Sequence, residues 1–306
     1  VSFPSNPTLV TMKSLSNFAL LGVLLLAWGC QTVNPLVREA KTSIASADFQ
    51  TALEKADQAL AENPNDGLAH YYRGVALGSI GQETEAPEER LPFYQQMMEA
   101  LGTATAIFDT TENVPAEADN ISAAITSTWA AEHNQAVDIL TNDSLAGTYA
   151  DPNATAIAHL KNAVTLAPDS SMSYTVLASA YYRTNDIPAA TEAYETAMSL
   201  TDSADVGDYE FLITLYLSSQ RYDDVREKSM EALDLYPEET SFVQYLADSY
   251  LQTGDTDKAV ELIRELIAKD PDNAQYHLVL GTQLYQSVDE MTDEFGAKLA
   301  QIYDLG

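Results

Sequence analysis

Positive charge is scarce in this sequence. Lys and Arg number 15 against 46 Asp and Glu, a formal charge of −31, and such a field repels nucleic acid and anionic headgroups instead of releasing their counterions. Nucleic-acid binding is therefore excluded as a main activity. The single cysteine, Cys30, rules out an internal disulfide, and the four histidines form no cluster at zinc-ligand spacing. No apolar run reaches the roughly 20 residues of a membrane-spanning helix; the longest candidate is Phe18 to Gly29. Catalytic motifs are missing as well. Glu132-His133 lacks the second histidine of H-E-x-x-H, and G-x-S-x-G, P-loop and G-x-G-x-x-G patterns do not occur. Carboxylate pairs are inevitable among 46 acids and read as solvated surface. The expectation is no catalytic residue, no metal and no cofactor. What is present is 306 residues with 46% apolar content, enough to bury a core.

Met12-Lys13 precedes FALLGVLLLAWG, which has the length of a signal-peptide h-region and ends at Cys30. The arrangement resembles a bacterial lipoprotein signal, with Gly29 as the small residue before the cysteine and Leu26 one place ahead of the usual leucine. Residues 1–30 are read as this leader, with translation starting at Met12. The resemblance implies a lipid on Cys30, a membrane anchor and, with Gln31 next, an outer-membrane lipoprotein facing the periplasm. An ordinary core cysteine is the alternative.

Beyond Cys30 an internal repeat dominates. Tyr174, Leu177, Tyr181 and Ala197 return as Tyr209, Leu212, Tyr216 and Ala232 after 35 residues, and Pro237 returns as Pro271 after 34. Tyr174, Leu177, Ala178 and Tyr181 fall at i, i+3, i+4 and i+7, one face of a helix that must be buried. Ala190 and Ala197 are small where two helices approach closely, and a proline stops the second helix. The pattern resembles the tetratricopeptide repeat, a helix-turn-helix unit of about 34 residues. The best unit is YTVLASAYYRTNDIPAATEAYETAMSL. The implied fold is all-α, a right-handed superhelical solenoid of antiparallel helix pairs.

Residues 31–66 form a first unit, with Ala52, Ala56, Ala59 and Pro64 on its second helix. Residues 67–170 do not fit the period and read as two enlarged units, with helices near Pro87 to Phe108 and Pro115 to Leu140; an inserted helical hairpin is the alternative. Residues 171–273 hold three regular units. Residues 274–306 begin a further unit, read as truncated, or form a capping helix. His70 and His277 occupy corresponding Trp slots and read as packing residues.

In such solenoids the first helices line a concave groove, and the resemblance places these residues on it: Tyr71, Val75 and Gly78; Thr175, Ser179 and Tyr182, with Arg183 beside them; Glu210, Thr214 and Leu217; Gln244, Asp248 and Leu251; Leu278, Thr282 and Tyr285. The wall is aromatic, polar and aliphatic, suited to an extended peptide or helix of a protein partner. Family members that grip a C-terminal carboxylate carry Lys, Asn and Arg at these places, and this chain has almost none. The function expected is a non-enzymatic, membrane-anchored scaffold of the bacterial cell envelope. An accessory module of a longer enzyme is an alternative. A periplasmic small-ligand binder is another, and it requires a closed apolar pocket in the enlarged units.

Overall fold

The computed structural model describes residues 33–274, 276–282, 285 and 292, and all regular structure among them is helical. Cys30, Met12 and the leader lie outside the described residues, as does most of the segment after Thr282. The helices are α1 (Pro35–Ala45), α2 (Phe49–Glu62), α3 (Gly67–Glu83), α4 (Leu91–Phe108), α5 (Ile121–Thr141), α6 (Asp143–Ala146), α7 (Pro152–Leu166), α8 (Ser171–Arg183), α9 (Ile187–Ser199), α10 (Val206–Ser218), α11 (Tyr222–Leu235), α12 (Ser241–Gln252) and α13 (Thr256–Lys269). They stack in sequence order as α1/α2, α3/α4, α5/α7, α8/α9, α10/α11 and α12/α13. The chain is thus an all-α solenoid.

Local chemistry sets the helix ends. Asn34, Asp48, Asp66, Asp151, Ser170 and Asp186 cap helix N-termini with side chains that accept from backbone N–H groups, and Asp205 and Asp208 form a reciprocal capping box. Most of these caps are acids, which the helix dipole favours at that end. The turn inside four of the pairs is the same. Ala47, Asn185, Gln220 and Gly254 have φ of 57°, 60°, 55° and 76°, each two residues before the second helix starts. The residue after each donates its N–H to the carbonyl five back, as in Asp186 to Tyr181 and Asp255 to Tyr250. This left-handed step reverses the chain within three residues.

The turn between pairs depends on proline. Asn63, Ala167, Tyr236 and Asp270 leave helical geometry at the ends of α2, α7, α11 and α13, and each precedes a proline, whose ring disfavours helical geometry in the residue before it. Helix α9 has no such proline, ends at Leu200 in helical geometry, and is followed by a longer connection to Asp205.

Two helix starts differ from the sequence reading. Helix α4 begins at Leu91 rather than Pro87, after a 3-10 turn at Pro87–Glu89. A continuous helix would place Pro92 in its interior, where its ring meets a carbonyl one turn back. Helix α5 begins at Ile121, after a 3-10 segment at Ala116–Asn120.

Small residues bring the layers together. Ala52, Ala59, Ala156, Ala163, Ala190, Ala232 and Ala259 are fully buried on the second helices. In α3 and α4 the small residue is glycine: a Cβ on Gly67, Gly74, Gly78 or Gly81 would lie 2.6 Å from Phe108, Leu101, Met97 or Tyr94. Three adjoining apolar clusters run the length of the stack, from Val37 through Leu212 to Ile263.

Candidate interaction groove and a buried polar centre

First helices of successive pairs lie beside one another, α1 with α3, α3 with α5, α5 with α8 and α10 with α12, while α8 meets α10 through the edge-on rings of Tyr182 and Phe211, so that they line one wall. The expected groove residues divide along it. On α8, Thr175 and Ser179 are half-buried, and the Ser179 hydroxyl donates to the Thr175 carbonyl at 3.0 Å. Tyr182 is 40% exposed, with its ring edge-on to Phe211. The exposed Arg183 directs Nη1 to the Leu140 carbonyl at 2.9 Å, tying α8 to the end of α5. On α10, Glu210 is half-buried, and Thr214 donates to its carbonyl at 2.8 Å. On α12, Gln244 is exposed and Asp248 half-buried. Burial and then the charges of Glu210 and Asp248 raise the pKa of Tyr245, which places both carboxylates near one phenol. Tyr285 is exposed.

The α3 portion requires a correction. Tyr71 is 8% exposed and packs edge-to-face on Tyr72 within the N-terminal core, and Gly78 lies under Met97. Both lie in the core and not on an exposed wall. Val75, half-buried, packs against the same core. The long α4 lies so close along the glycine face of α3 that the register of the regular units does not carry over. His70 and His277 also differ from the packing role expected of them. Each directs Nε2 to the carbonyl of the proline six residues earlier, Pro64 at 2.9 Å and Pro271 at 3.0 Å, and so braces the turn between pairs.

A polar centre that the sequence reading missed joins α4, α5 and α7. Glu132 is 1% exposed. Its Oε1 accepts from Arg90 Nη1 at 2.9 Å and Tyr94 Oη at 2.6 Å. Its Oε2 accepts from His159 Nδ1 at 2.7 Å and Asn162 Nδ2 at 3.2 Å. Burial alone would raise the Glu132 pKa, but hydrogen bonds from His159, Tyr94 and Arg90 outweigh it and hold the carboxyl below its ordinary value. Asn162 also donates to the Pro87 carbonyl at 2.8 Å, pinning the 3-10 turn. The signal was present in the sequence: Thr128, Glu132, Ala136 and Ile139 share the buried face of α5 at helical spacing. Beside it, His133 stacks on Trp129, both bond to Ser173 Oγ, and burial lowers the His133 pKa.

The cavity at this centre, about 400 Å³, opens to solvent and has a largely polar lining. It is not the closed apolar pocket that the small-ligand alternative requires. Among the described residues no group of three or more His, Cys, Asp or Glu side chains could hold a metal ion, and no helix is long and apolar enough to cross a membrane.

Two segments of the chain, residues 37–89 and 212–281, match family profiles of the tetratricopeptide repeat. The matched segments lie near both ends of the described solenoid, and the best-patterned unit, 174–200, lies between them. No curated protein matches the chain. Among solved structures, the MamA protein is 16% identical, with 79% of this chain and 93% of that one covered and a TM-score of 0.35. A Pseudomonas aeruginosa protein, PilF, is 13% identical, with 81% and 96% covered and a TM-score of 0.32. A Thermus thermophilus repeat protein, TTC0263, is 16% identical, with 82% and 97% covered and a TM-score of 0.24.

Proposed function

We propose, from an all-α solenoid that carries tetratricopeptide repeats, that the protein is a non-enzymatic scaffold that holds a peptide or helix of a protein partner against the wall formed by its first helices. The carrying observation is that wall itself. On α8, α10 and α12 it presents Tyr182 and Gln244 exposed, with Thr175, Glu210 and Thr214 half-buried beside them. An aromatic ring amid polar groups suits an interface anchor. The apolar run that ends at Cys30 supports the further reading that a lipid on that residue anchors the scaffold in the bacterial cell envelope, with the periplasmic face of the outer membrane as its address.

The test is a Tyr182→Ala, Arg183→Ala double variant used to capture partners from envelope extracts, with helicity and melting measured in parallel. The expected result is weakened capture with helicity and melting retained; normal capture, or a variant that unfolds, removes the groove from consideration. Fractionation tests the address separately. Wild type should sediment with membranes and Cys30→Ser should be soluble, and equal solubility of the two rules the anchor out.

A further inference from the structure

The cations of the regular units are segregated from the first-helix wall. On α11, Arg221 pairs with Glu195 and Asp224, Arg226 with Asp223, and Lys228 with Glu231. On α13, Lys258 pairs with Asp255, and Arg264 and Lys269 lie on the same helix. Helices α10 and α12 carry no Lys or Arg, nor do residues 276–282. Arg183, the last residue of α8, directs Nη1 to the Leu140 carbonyl at 2.9 Å.

The wall keeps acids all the same. Off the wall, Asp208 accepts from Tyr194 at 2.7 Å and Glu231 from Tyr209 at 2.8 Å. Glu210 of α10 differs: it is half-buried, and among the described residues its carboxylate has no hydrogen bond or ion pair. A partly desolvated carboxylate without a donor is costly until a donor is supplied. Asp248 of α12 is half-buried too, and both charges act on the Tyr245 phenol, so the two carboxylates share one stretch of wall. To either side of them the wall is apolar. Met172 and Tyr182 are exposed on α8, and Leu278 and Tyr285 are exposed on the segment that packs against α12 after α13. Neighbouring helices lie about 8–10 Å apart, so this sequence of apolar, acidic and apolar surface covers about 25–30 Å, the reach of about eight or nine residues of extended chain.

We propose that the occupant of this wall is a cationic segment of a partner protein, with Lys or Arg seated at Glu210 and Asp248 and apolar side chains before and after them, at Tyr182 and Leu278. The proposal rests on the first-helix wall being the partner surface, and it adds the sign of the partner's charge and its order along the segment. Charge complementarity carries it: the wall offers carboxylates and no free cation, and the formal charge of −31 concentrates cations around the chain.

Calorimetric titration of the full chain with capped nonapeptides tests it. The probe is Phe-Ala-Ser-Lys-Ala-Arg-Ser-Ala-Phe, and in two comparison peptides Glu or Gln replaces both Lys and Arg. The cationic peptide should bind, more weakly as salt is added, and the acidic one should not. Glu210→Gln should weaken that binding about fivefold. It should not lower the melting temperature, because the carboxylate it removes has no partner in the fold. Tyr182→Ala should weaken binding as well. Asp234→Asn takes the same charge from an exposed position on α11 and should bind like wild type. The proposal is overturned if no peptide binds, if the acidic or neutral peptide binds as well as the cationic one, or if Glu210→Gln binds like wild type. It is also overturned if Asp234→Asn loses as much as Glu210→Gln, which leaves only attraction to net charge. The wall and the charge assignment fail separately. A neutral or acidic peptide that binds and is weakened by Tyr182→Ala keeps the wall and removes the charge assignment, whereas a cationic peptide indifferent to both Tyr182→Ala and Glu210→Gln removes the two together.

Discussion

Glu132 stays ionised inside a core because four donors surround it, and Tyr94 belongs to a wider pattern. With 15 Lys and Arg against 46 acids, most carboxylates have no cation to pair with, and the 17 tyrosines take over part of that role. Tyr72 donates to Glu117, Tyr194 to Asp208, Tyr209 to Glu231 and Tyr216 to Glu195, at 2.7 to 3.0 Å. The phenols answer in kind: burial and then the bonded carboxylate push the Tyr209 pKa up to about 12. Glu132→Ala strands Arg90 without its carboxylate and is expected to cost about 3–5 kcal/mol in urea unfolding. Glu117 is held low by Tyr72 and then Lys41, and Glu231 by Lys228 with help from Tyr209. Folded-state values below the unfolded ones mean that this stability is complete at neutral pH and is lost as pH falls through about 4. Loss of self-repulsion acts in the opposite sense. Glu117→Gln with Glu231→Gln should therefore flatten the acid limb of a stability-against-pH curve, and an unchanged limb would remove these two groups from the account.

The helices owe their ends to short-range chemistry and their closeness to small residues, and the two behave differently under substitution. Gly78 sits under Met97, where a Cβ would come within 2.6 Å of its sulfur, whereas Gly102, in the interior of α4, has nothing within 4 Å. Gly78→Ala should lower stability by about 1–3 kcal/mol through overpacking. Gly102→Ala should raise it by about 0.5–1 kcal/mol, because alanine loses less backbone freedom in a helix. Melting of the two variants checks the pair; the same sign for both would show that α3 and α4 are not held at glycine distance. The turns were partly legible. Prolines 64, 168, 237 and 271 announce the ends of their helices, but only Gly254 among the four left-handed turn residues is a glycine. Ala47, Asn185 and Gln220 adopt the same geometry because the helices on either side impose it.

Along the full solenoid, like charge accumulates faster than it is compensated. Ion pairs such as Lys55 with Glu39 and Arg73 with Asp57 are local and partly exposed, worth little individually. A formal charge of −31 then opposes compaction over distances that salt screens. Melting temperature should rise between low and molar NaCl. A melting temperature indifferent to salt would mean that self-repulsion costs the fold nothing measurable.

Periodicity, proline placement and small-residue spacing were enough to read an all-α solenoid, because the interactions that produce it act within one unit or between neighbours. The match of residues 37–89 and 212–281 to the repeat family agrees with the pattern read from Tyr209, Leu212 and Pro237 onward. The middle could not be read in the same way. Glu132 meets Tyr94 and Arg90 across 38 and 42 residues, and Asn162 meets Pro87 across 75, separations that follow no period in the sequence. Tyr71 likewise has the register of a groove residue, and it is buried because the first core closes over it. Side-chain type and spacing place a residue on a face of its own helix; which faces meet solvent depends on how closely the next helix packs, and here that distance is set by glycines on α3.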